Sequence, residues 1–185
     1  MIPGGKRDLR EQWDLSGVSC LIAEDHPHMR TILRSVLSGF GIRTLFEAGD
    51  GAEALELVVD RRPDIVLCDW SMPMFGGSEF LRILRADRDR ILSTTPVLVV
   101  SAHARRATIL EAIENGIHGF VAKPIAPVIL YQHIGGILER QRLYGRTRGI
   151  ARPGTEWTGR ESDTLDLSGM APSAERLPET GMALL

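Results

Sequence analysis

Residues 62–69 read RPDIVLCD: a turn sequence, four consecutive apolar residues and then an aspartate. The apolar run IVLC does not alternate with polar residues, which is typical of a strand buried on both faces of a sheet. A second continuous run, VLVV, occupies residues 97–100. The two runs predict the interior of a parallel sheet that is covered on both sides.

The rest of the chain repeats this pattern of an apolar run followed by a helical segment. The runs lie at residues 18–23, 44–47, 65–68, 97–100 and 119–122. Apolar residues at helical spacing follow each run, as in Met29, Leu33 and Val36, and glycine- or proline-containing turns separate the units. Five alternations of strand and helix predict an α/β fold with a doubly wound, five-stranded parallel sheet and helices on both faces.

Composition excludes several classes of protein. The 185 residues carry 22 basic and 24 acidic side chains, a net charge of −2, so no basic field points to nucleic acid or to a membrane surface. No apolar run approaches the roughly 20 residues that span a bilayer. Residues 1–13 have no apolar core, so we expect no signal peptide and a cytoplasmic protein. Cys20 and Cys68 lie in apolar runs, so we expect no disulfide.

The two ends of the chain differ in composition from its centre. Residues 1–16 are polar, and residues 144–185 are rich in Gly, Pro, Ser, Thr and Arg without sustained periodicity. Such a segment buries too little apolar area to offset its ordering entropy. We predict an N-terminal extension over 1–16, one α/β domain over 17–143 and a disordered tail over 144–185.

Polar residues end four of the five predicted strands. Glu24 and Asp25 follow the first strand, Asp69 the third, Ser101 the fourth and Lys123 the fifth. Ligands of open parallel sheets bind at the carboxyl ends of the strands, so we expect these five side chains to share one site. Lys123 is notable because the chain has only one other lysine, Lys6, among 22 basic residues.

This set of residue types indicates phosphoryl chemistry. Clustered carboxylates without Cys or His ligands favour Mg²⁺, which prefers hard oxygen donors. A carboxylate beside Mg²⁺ can attack a phosphoryl group and form an aspartyl phosphate. The Ser101 hydroxyl and the Lys123 ammonium would then hold the phosphoryl oxygens. His26 and His28, spaced H-P-H, are more consistent with a loop and a helix start than with a metal site.

Four motifs within residues 18–143 resemble the receiver domain of two-component response regulators. They are LIAEDHPHMR (21–30), IVLCDWSMPMFGG (65–77), VLVVSA (97–102) and GFVAKP (119–124). The resemblance implies a flavodoxin-like sheet of strand order 2-1-3-4-5. It also implies a stand-alone signalling switch, which takes a phosphoryl group from a histidine kinase or a histidine phosphotransfer protein and acts by contact with another protein.

The resemblance assigns a role to each matching position. Asp69 would be the phosphoacceptor, and Ser101 and Lys123 would assist the transfer. The metal ligands for Mg²⁺ would be Glu24, Asp25, Asp69 and the backbone carbonyl of Ser71. Ser101 and Phe120 would form the switch, and the bond between Lys123 and Pro124 would resemble a cis-proline bond. Ser71 and His103 occupy positions where the family tunes dephosphorylation.

Departures from the family pattern leave this assignment in place. Gly76-Gly77 stands where an Asp-Gly pair is frequent, Ser101 replaces the commoner threonine and Phe120 the frequent tyrosine. Val128, Ile129 and Tyr131 widen the apolar surface of the last helix, either for packing or for a partner, including a phosphorylation-linked homodimer. We expect no direct contact with nucleic acid or membrane, and an unknown protein as the downstream target.

Other functions fit the sequence less well. A phosphatase of the haloacid-dehalogenase type would carry D-x-D, but position 71 is serine. No Gly-rich nucleotide-binding motif is present. An interaction module that keeps the receiver fold but works without phosphorylation is the main alternative. We therefore expect no enzyme activity beyond self-catalysed phosphorylation and dephosphorylation.

Overall fold

The computed structural model describes residues 13–143, which form a five-stranded parallel sheet of order β2-β1-β3-β4-β5. The elements run β1 (Ser19–Ala23), α1 (Pro27–Gly39), β2 (Thr44–Ala48), α2 (Gly51–Arg61), β3 (Ile65–Cys68), α3 (Gly77–Arg85), α4 (Arg90–Ser93), β4 (Val97–Ser101), α5 (Arg106–Glu114), β5 (Gly119–Ala122) and α6 (Pro127–Leu143). The predicted fold class and strand order are confirmed. The predicted tail over 144–185 lies outside the described residues, as do residues 1–12 of the predicted extension.

Two apolar clusters cover the two faces of the sheet. Alternate strand residues point to opposite faces, so Cys20 and Ile22 belong to one cluster, and Leu21 and Ala23 to the other. The first cluster is completed by apolar residues of α1 and α6, and the second by residues of α2, α3 and α5. This double coverage explains why β3 is apolar at every position and why β1 and β4 are polar only at one end. Within residues 13–143, no helix is long and apolar enough to cross a membrane.

Local signals set the starts of the helices. Pro27 occupies the first turn of α1, where a missing N–H costs no hydrogen bond. Asp50 caps α2, because its Oδ1 accepts from the backbone nitrogens of Ala52 and Glu53 at 2.8 and 2.9 Å. Asp89 caps α4 in the same way through the nitrogen of Ile91. The short helix α4 was not predicted, because four residues are too few to show a helical period.

The segment before β1 packs against α6. Leu15 is buried in the first cluster, and the Trp13 ring lies 5.4 Å from the Tyr131 ring, between centroids. The Tyr131 hydroxyl donates to the Trp13 carbonyl and accepts from the Trp13 nitrogen, both at 2.9 Å. A Cβ at Gly135 would lie 2.2 Å from the Trp13 ring, so only glycine leaves room for this contact. Tyr131 therefore serves internal packing, whereas Val128 is 42% exposed.

Tyr131→Phe should lower the free energy of unfolding by about 1–2 kcal/mol, since two hydrogen bonds to the Trp13 backbone are lost. Burial raises the pKa of Tyr131, so the phenol is protonated at neutral pH and available to donate. Urea denaturation of the two proteins measures the difference. Equal midpoints and slopes would show that the hydroxyl does not hold the segment.

Candidate functional site

The carboxyl edge of the sheet carries all five strand-end residues named from the sequence. Glu24 directly follows β1 and is 1% exposed, and Asp69 follows β3 and is 6% exposed. Ser101 is the last residue of β4 and is fully buried, and Lys123 follows β5. Asp25 is partly buried beside Glu24. Parallel strands expose the same end, which is why residues far apart in the chain meet here.

Lys123 joins two of the carboxylates. Its Nζ donates to Asp69 Oδ2 at 2.7 Å and to Glu24 Oε2 at 2.8 Å. Burial by itself lowers the pKa of Lys123, but the hydrogen bonds and charges of Asp69 and Glu24 raise that pKa above its ordinary value. The ammonium is therefore charged at neutral pH and compensates two buried carboxylates. The structure thus brings together Glu24, Asp69 and Lys123 by direct contact.

Asp25 contacts a residue to which the sequence assigned no site role. The Nδ1 atom of His26 lies 3.0 Å from Asp25 Oδ1 and 3.4 Å from Glu24 Oε1. One ligand atom each from Glu24, Asp25 and His26 lies within 4.8 Å of the others. His26 stands at the residue before α1, as the sequence predicts for a helix start, and its ring turns toward the acidic pair.

Hydrogen bonds connect the loop after Asp69 with the loop after β4. The Ser71 nitrogen donates to Asp69 Oδ1 at 3.2 Å, and the Ser71 hydroxyl lies 3.2 Å from His103 Nδ1. The His103 nitrogen in turn donates to Ser101 Oγ at 3.1 Å. Ser71 and His103, to which only the resemblance gave a place in dephosphorylation, therefore form one bridge beside Asp69.

The backbone of the acidic pair is held from two sides. The Glu24 nitrogen donates to the Ala48 carbonyl of β2 at 3.0 Å. The Glu24 carbonyl accepts from Arg30 Nη1 of α1 at 2.7 Å, and Arg30 Nε lies 3.2 Å from Glu47 Oε2. No pattern in the sequence marks Arg30, because a contact between a side chain and a backbone carbonyl six residues earlier leaves no signal in composition or periodicity.

The donor atoms at this edge suit a hard divalent cation. Three carboxylates against one ammonium leave two negative charges, which a divalent cation balances. Carboxylate and carbonyl oxygens are the ligands that Mg²⁺ prefers. The acidic cluster of Glu24 and Asp25 beside Asp69 therefore fits Mg²⁺ in charge and donor type.

Other residues named from the sequence are a buried phenylalanine, a cis proline and two free cysteines. Phe120 is 5% exposed and belongs to the second apolar cluster, together with Ala112 of α5. The peptide bond between Lys123 and Pro124 is cis. Cys68, next to Asp69, is free, and burial followed by the charges of Asp69 and Glu24 raises its thiol pKa. Cys20 is also free, and burial raises its pKa to about 12, so both thiols are protonated.

Comparison with known proteins shows the family to which the chain belongs. A family model described as the response regulator receiver domain matches residues 20–135, more than half of the chain. The chain belongs to this family. Among relatives, the receiver domain is 38% identical to the chemotaxis protein CheY of Pseudomonas aeruginosa over 120 residues, which cover 65% of this chain and 95% of that protein. It is 36% identical to the chemotaxis protein CheY-3 of Vibrio cholerae, with coverages of 65% and 91%.

Solved structures show the same relationship. The receiver domain of a Francisella response regulator aligns with a TM-score of 0.61 at 26% identity and covers 68% of this chain and 99% of that one. A LuxR-family two-component response regulator from Aurantimonas aligns with a TM-score of 0.61 at 31% identity, with coverages of 66% and 86%. The chain is therefore a two-component receiver domain by sequence and by fold.

Proposed function

We propose that this receiver domain accepts a phosphoryl group on Asp69 from a histidine kinase or a histidine phosphotransfer protein, in the cytoplasm and with Mg²⁺. The observation that supports the proposal most strongly is the contact of Lys123 Nζ with Asp69 Oδ2 at 2.7 Å, beside the buried carboxylate of Glu24. This contact places a positively charged side chain, Lys123, on the carboxylate of Asp69 and beside the acidic pair of Glu24 and Asp25. A purely structural ion pair would not need two further carboxylates.

The transfer itself is a displacement at phosphorus. A carboxylate oxygen of Asp69 forms the new O–P bond while the P–N bond of the donor phosphohistidine breaks, and its electron pair returns to the imidazole nitrogen. Lys123 then shares its ammonium with a phosphoryl oxygen, and the Ser101 hydroxyl donates to another. Among residues 13–143, the hydrogen bond recorded for the Ser101 hydroxyl is one that it accepts from the His103 nitrogen, so its own proton is available to donate.

Glu24, Asp25, Asp69 and the Ser71 carbonyl are the residues that we propose as ligands of Mg²⁺. When bound, Mg²⁺ supplies positive charge that offsets the repulsion between the acidic pair, Asp69 and the incoming phosphoryl group. Asp25 would face this ion as the more exposed carboxylate, with a side chain that is 18% exposed against 1% for Glu24.

Signalling follows from a shift between two packings of the same domain. We infer that a phosphoryl group draws Ser101 toward Asp69. The ring of Phe120, on the neighbouring strand β5, would then move into the space that Ser101 leaves. The region around β4, α5 and β5 would then bind a protein target. This mechanism needs no enzymatic step beyond phosphorylation and dephosphorylation of Asp69, with Ser71 and His103 placed to modulate the second.

Intact-mass spectrometry after incubation with acetyl phosphate tests the proposal. We expect a single phosphoryl increment that requires Mg²⁺, as acetate leaves and the Asp69 phosphate forms, and no increment in Asp69→Asn. Asp60→Asn is the matched control, because it removes one carboxylate at an exposed position of α2 and should be phosphorylated normally.

An increment that persists in Asp69→Asn would contradict the assignment of the phosphoacceptor. No increment in the folded wild type, with acetyl phosphate or with a phosphorylated histidine phosphotransfer protein, would contradict the proposal as a whole. The interaction module that works without phosphorylation would then be the better description.

A further inference from the structure

We propose that Arg30 is a positioning residue, which fixes the turn between Glu24 and Asp25 so that both carboxylates are set for a divalent cation. The inference rests on the proposed function, because it concerns the same acidic pocket. Arg30, on α1, would support metal binding indirectly, through the backbone of the acidic pair and without touching the metal.

The guanidinium of Arg30 connects three elements of the fold. Its Nη1 donates to the Glu24 carbonyl, at the end of β1, at 2.7 Å. Its Nε lies 3.2 Å from Glu47 Oε2 on β2. The planar fork of arginine allows both contacts at once, which a lysine ammonium on a flexible stem cannot reproduce with the same directions. The side chain is 22% exposed, so the contacts are partly shielded from water.

The carbonyl that Arg30 binds belongs to the peptide unit between Glu24 and Asp25. A peptide unit is planar from one Cα to the next, so a fixed carbonyl also fixes the positions of the Asp25 nitrogen and of the Asp25 Cα, to which its side chain is attached. The Glu24 nitrogen is already held by the Ala48 carbonyl at 3.0 Å. Lys123 orients the carboxylates of Glu24 and Asp69 directly, whereas Arg30 acts on Asp25 through the backbone.

The chain offers a matched control one helical turn further along α1. Arg34 also forms an ion pair with Glu47, through its Nη1 and the other carboxylate oxygen, Oε1. Arg34 is more exposed than Arg30, at 56%. Its ion pair is with Glu47, whereas Arg30 also donates a hydrogen bond to the Glu24 carbonyl. A change at Arg34 therefore removes one of the two ion pairs of Glu47 and the same charge, but leaves the contact of Arg30 with the Glu24 carbonyl in place.

The test measures Mg²⁺ affinity in Arg30→Met, Arg30→Lys and Arg34→Met. Methionine keeps the apolar stem of arginine and removes its donors, so packing is largely preserved. Mg²⁺ is titrated at constant ionic strength, with binding followed by tryptophan fluorescence, since Trp70 adjoins Asp69. Melting temperatures without Mg²⁺ report the stability of each variant separately.

We expect Arg30→Met to bind Mg²⁺ about 10-fold more weakly or worse, the range seen when a group that orients a metal ligand is lost. Arg30→Lys should restore part of the affinity, and Arg34→Met should match the wild type. Melting temperatures of Arg30→Met and Arg34→Met without Mg²⁺ should be similar, so that the loss lies in metal affinity and not in folding. Should Arg30→Met not fold, the same comparison is made between Arg30→Lys and Arg34→Lys.

Two results would overturn the inference alone. These are unchanged affinity in Arg30→Met while the wild type binds Mg²⁺, and equal weakening in Arg30→Met and Arg34→Met, which would assign the effect to Glu47. A wild type that does not respond to Mg²⁺ would overturn both this inference and the proposed metal site.

Discussion

Lys123→Met should lower the free energy of unfolding by about 3 kcal/mol in the absence of Mg²⁺, because two buried carboxylates lose the cation that they share. The Nζ atom lies 2.8 Å from Glu24 and 2.7 Å from Asp69, and the Lys123 side chain is only 13% exposed. Methionine fills a similar volume, so the loss reflects charge and not a cavity. Urea denaturation in a chelating buffer measures it, and added Mg²⁺ should recover part of the difference.

A second substitution tests the cause of this effect. Asp69→Asn in the Lys123→Met background removes one of the uncompensated carboxylates and should restore about 1–2 kcal/mol, a coupling of the size expected for residues in contact. Arg61→Met is the control, because the exposed ion pair of Arg61 with Asp60 and its position over the Phe46 ring should together contribute at most about 1 kcal/mol. If Lys123→Met is as stable as the wild type, the buried carboxylates are compensated by something other than Lys123.

Gly77→Ala should destabilise the domain by about 1–3 kcal/mol and slow phosphorylation in the mass assay, because a methyl group at this position meets backbone. A Cβ at Gly77 would lie 2.9 Å from the Asp69 carbonyl oxygen and 3.0 Å from the Trp70 Cα. Neither atom can rotate away as a side chain would. The start of α3 or the segment that carries Asp69 must move.

Gly39→Ala is the matched control, since a Cβ there meets nothing within 4 Å. Gly39 is the last residue of α1, and alanine should be neutral or stabilise by up to about 1 kcal/mol. Thermal melts of both variants, with phosphoryl increments followed over time, separate the two effects. Normal phosphorylation in a destabilised Gly77→Ala protein would show that the position supports only the fold.

Much of the fold could be predicted because its causes are local. The run IVLC at residues 65–68 is apolar at every position, and the structure buries all four residues between two helical layers. Helix starts at Pro27 and after Asp50 follow from conformational restriction and capping, which act over three or four residues. The short helix α4 could not be predicted, because a single turn shows no periodicity.

The site could be predicted in its members but not in its contacts. Glu24, Asp69 and Lys123 could be predicted as site residues because each follows a strand, and parallel strands expose their carboxyl ends on one side. That Lys123 binds both carboxylates, at sequence separations of 99 and 54 residues, follows from the packing of β1, β3 and β5 and not from any local pattern. The contacts of His26 with Asp25 and of Arg30 with the Glu24 carbonyl span only one and six residues, but composition and periodicity do not report the direction of these side chains.

Strand and helix identity, double coverage of the sheet and the residue types at its carboxyl edge are therefore properties of the sequence itself, because they depend on side-chain periodicity and on neighbours a few residues away. The tertiary structure alone decided which side chains distant in sequence meet: Trp13 with Tyr131 and Gly135 against α6, and Lys123 with two carboxylates at the carboxyl edge. Hydrogen bonds and ion pairs act over about 3 Å. They are therefore settled only when helices and strands distant in sequence pack into one core.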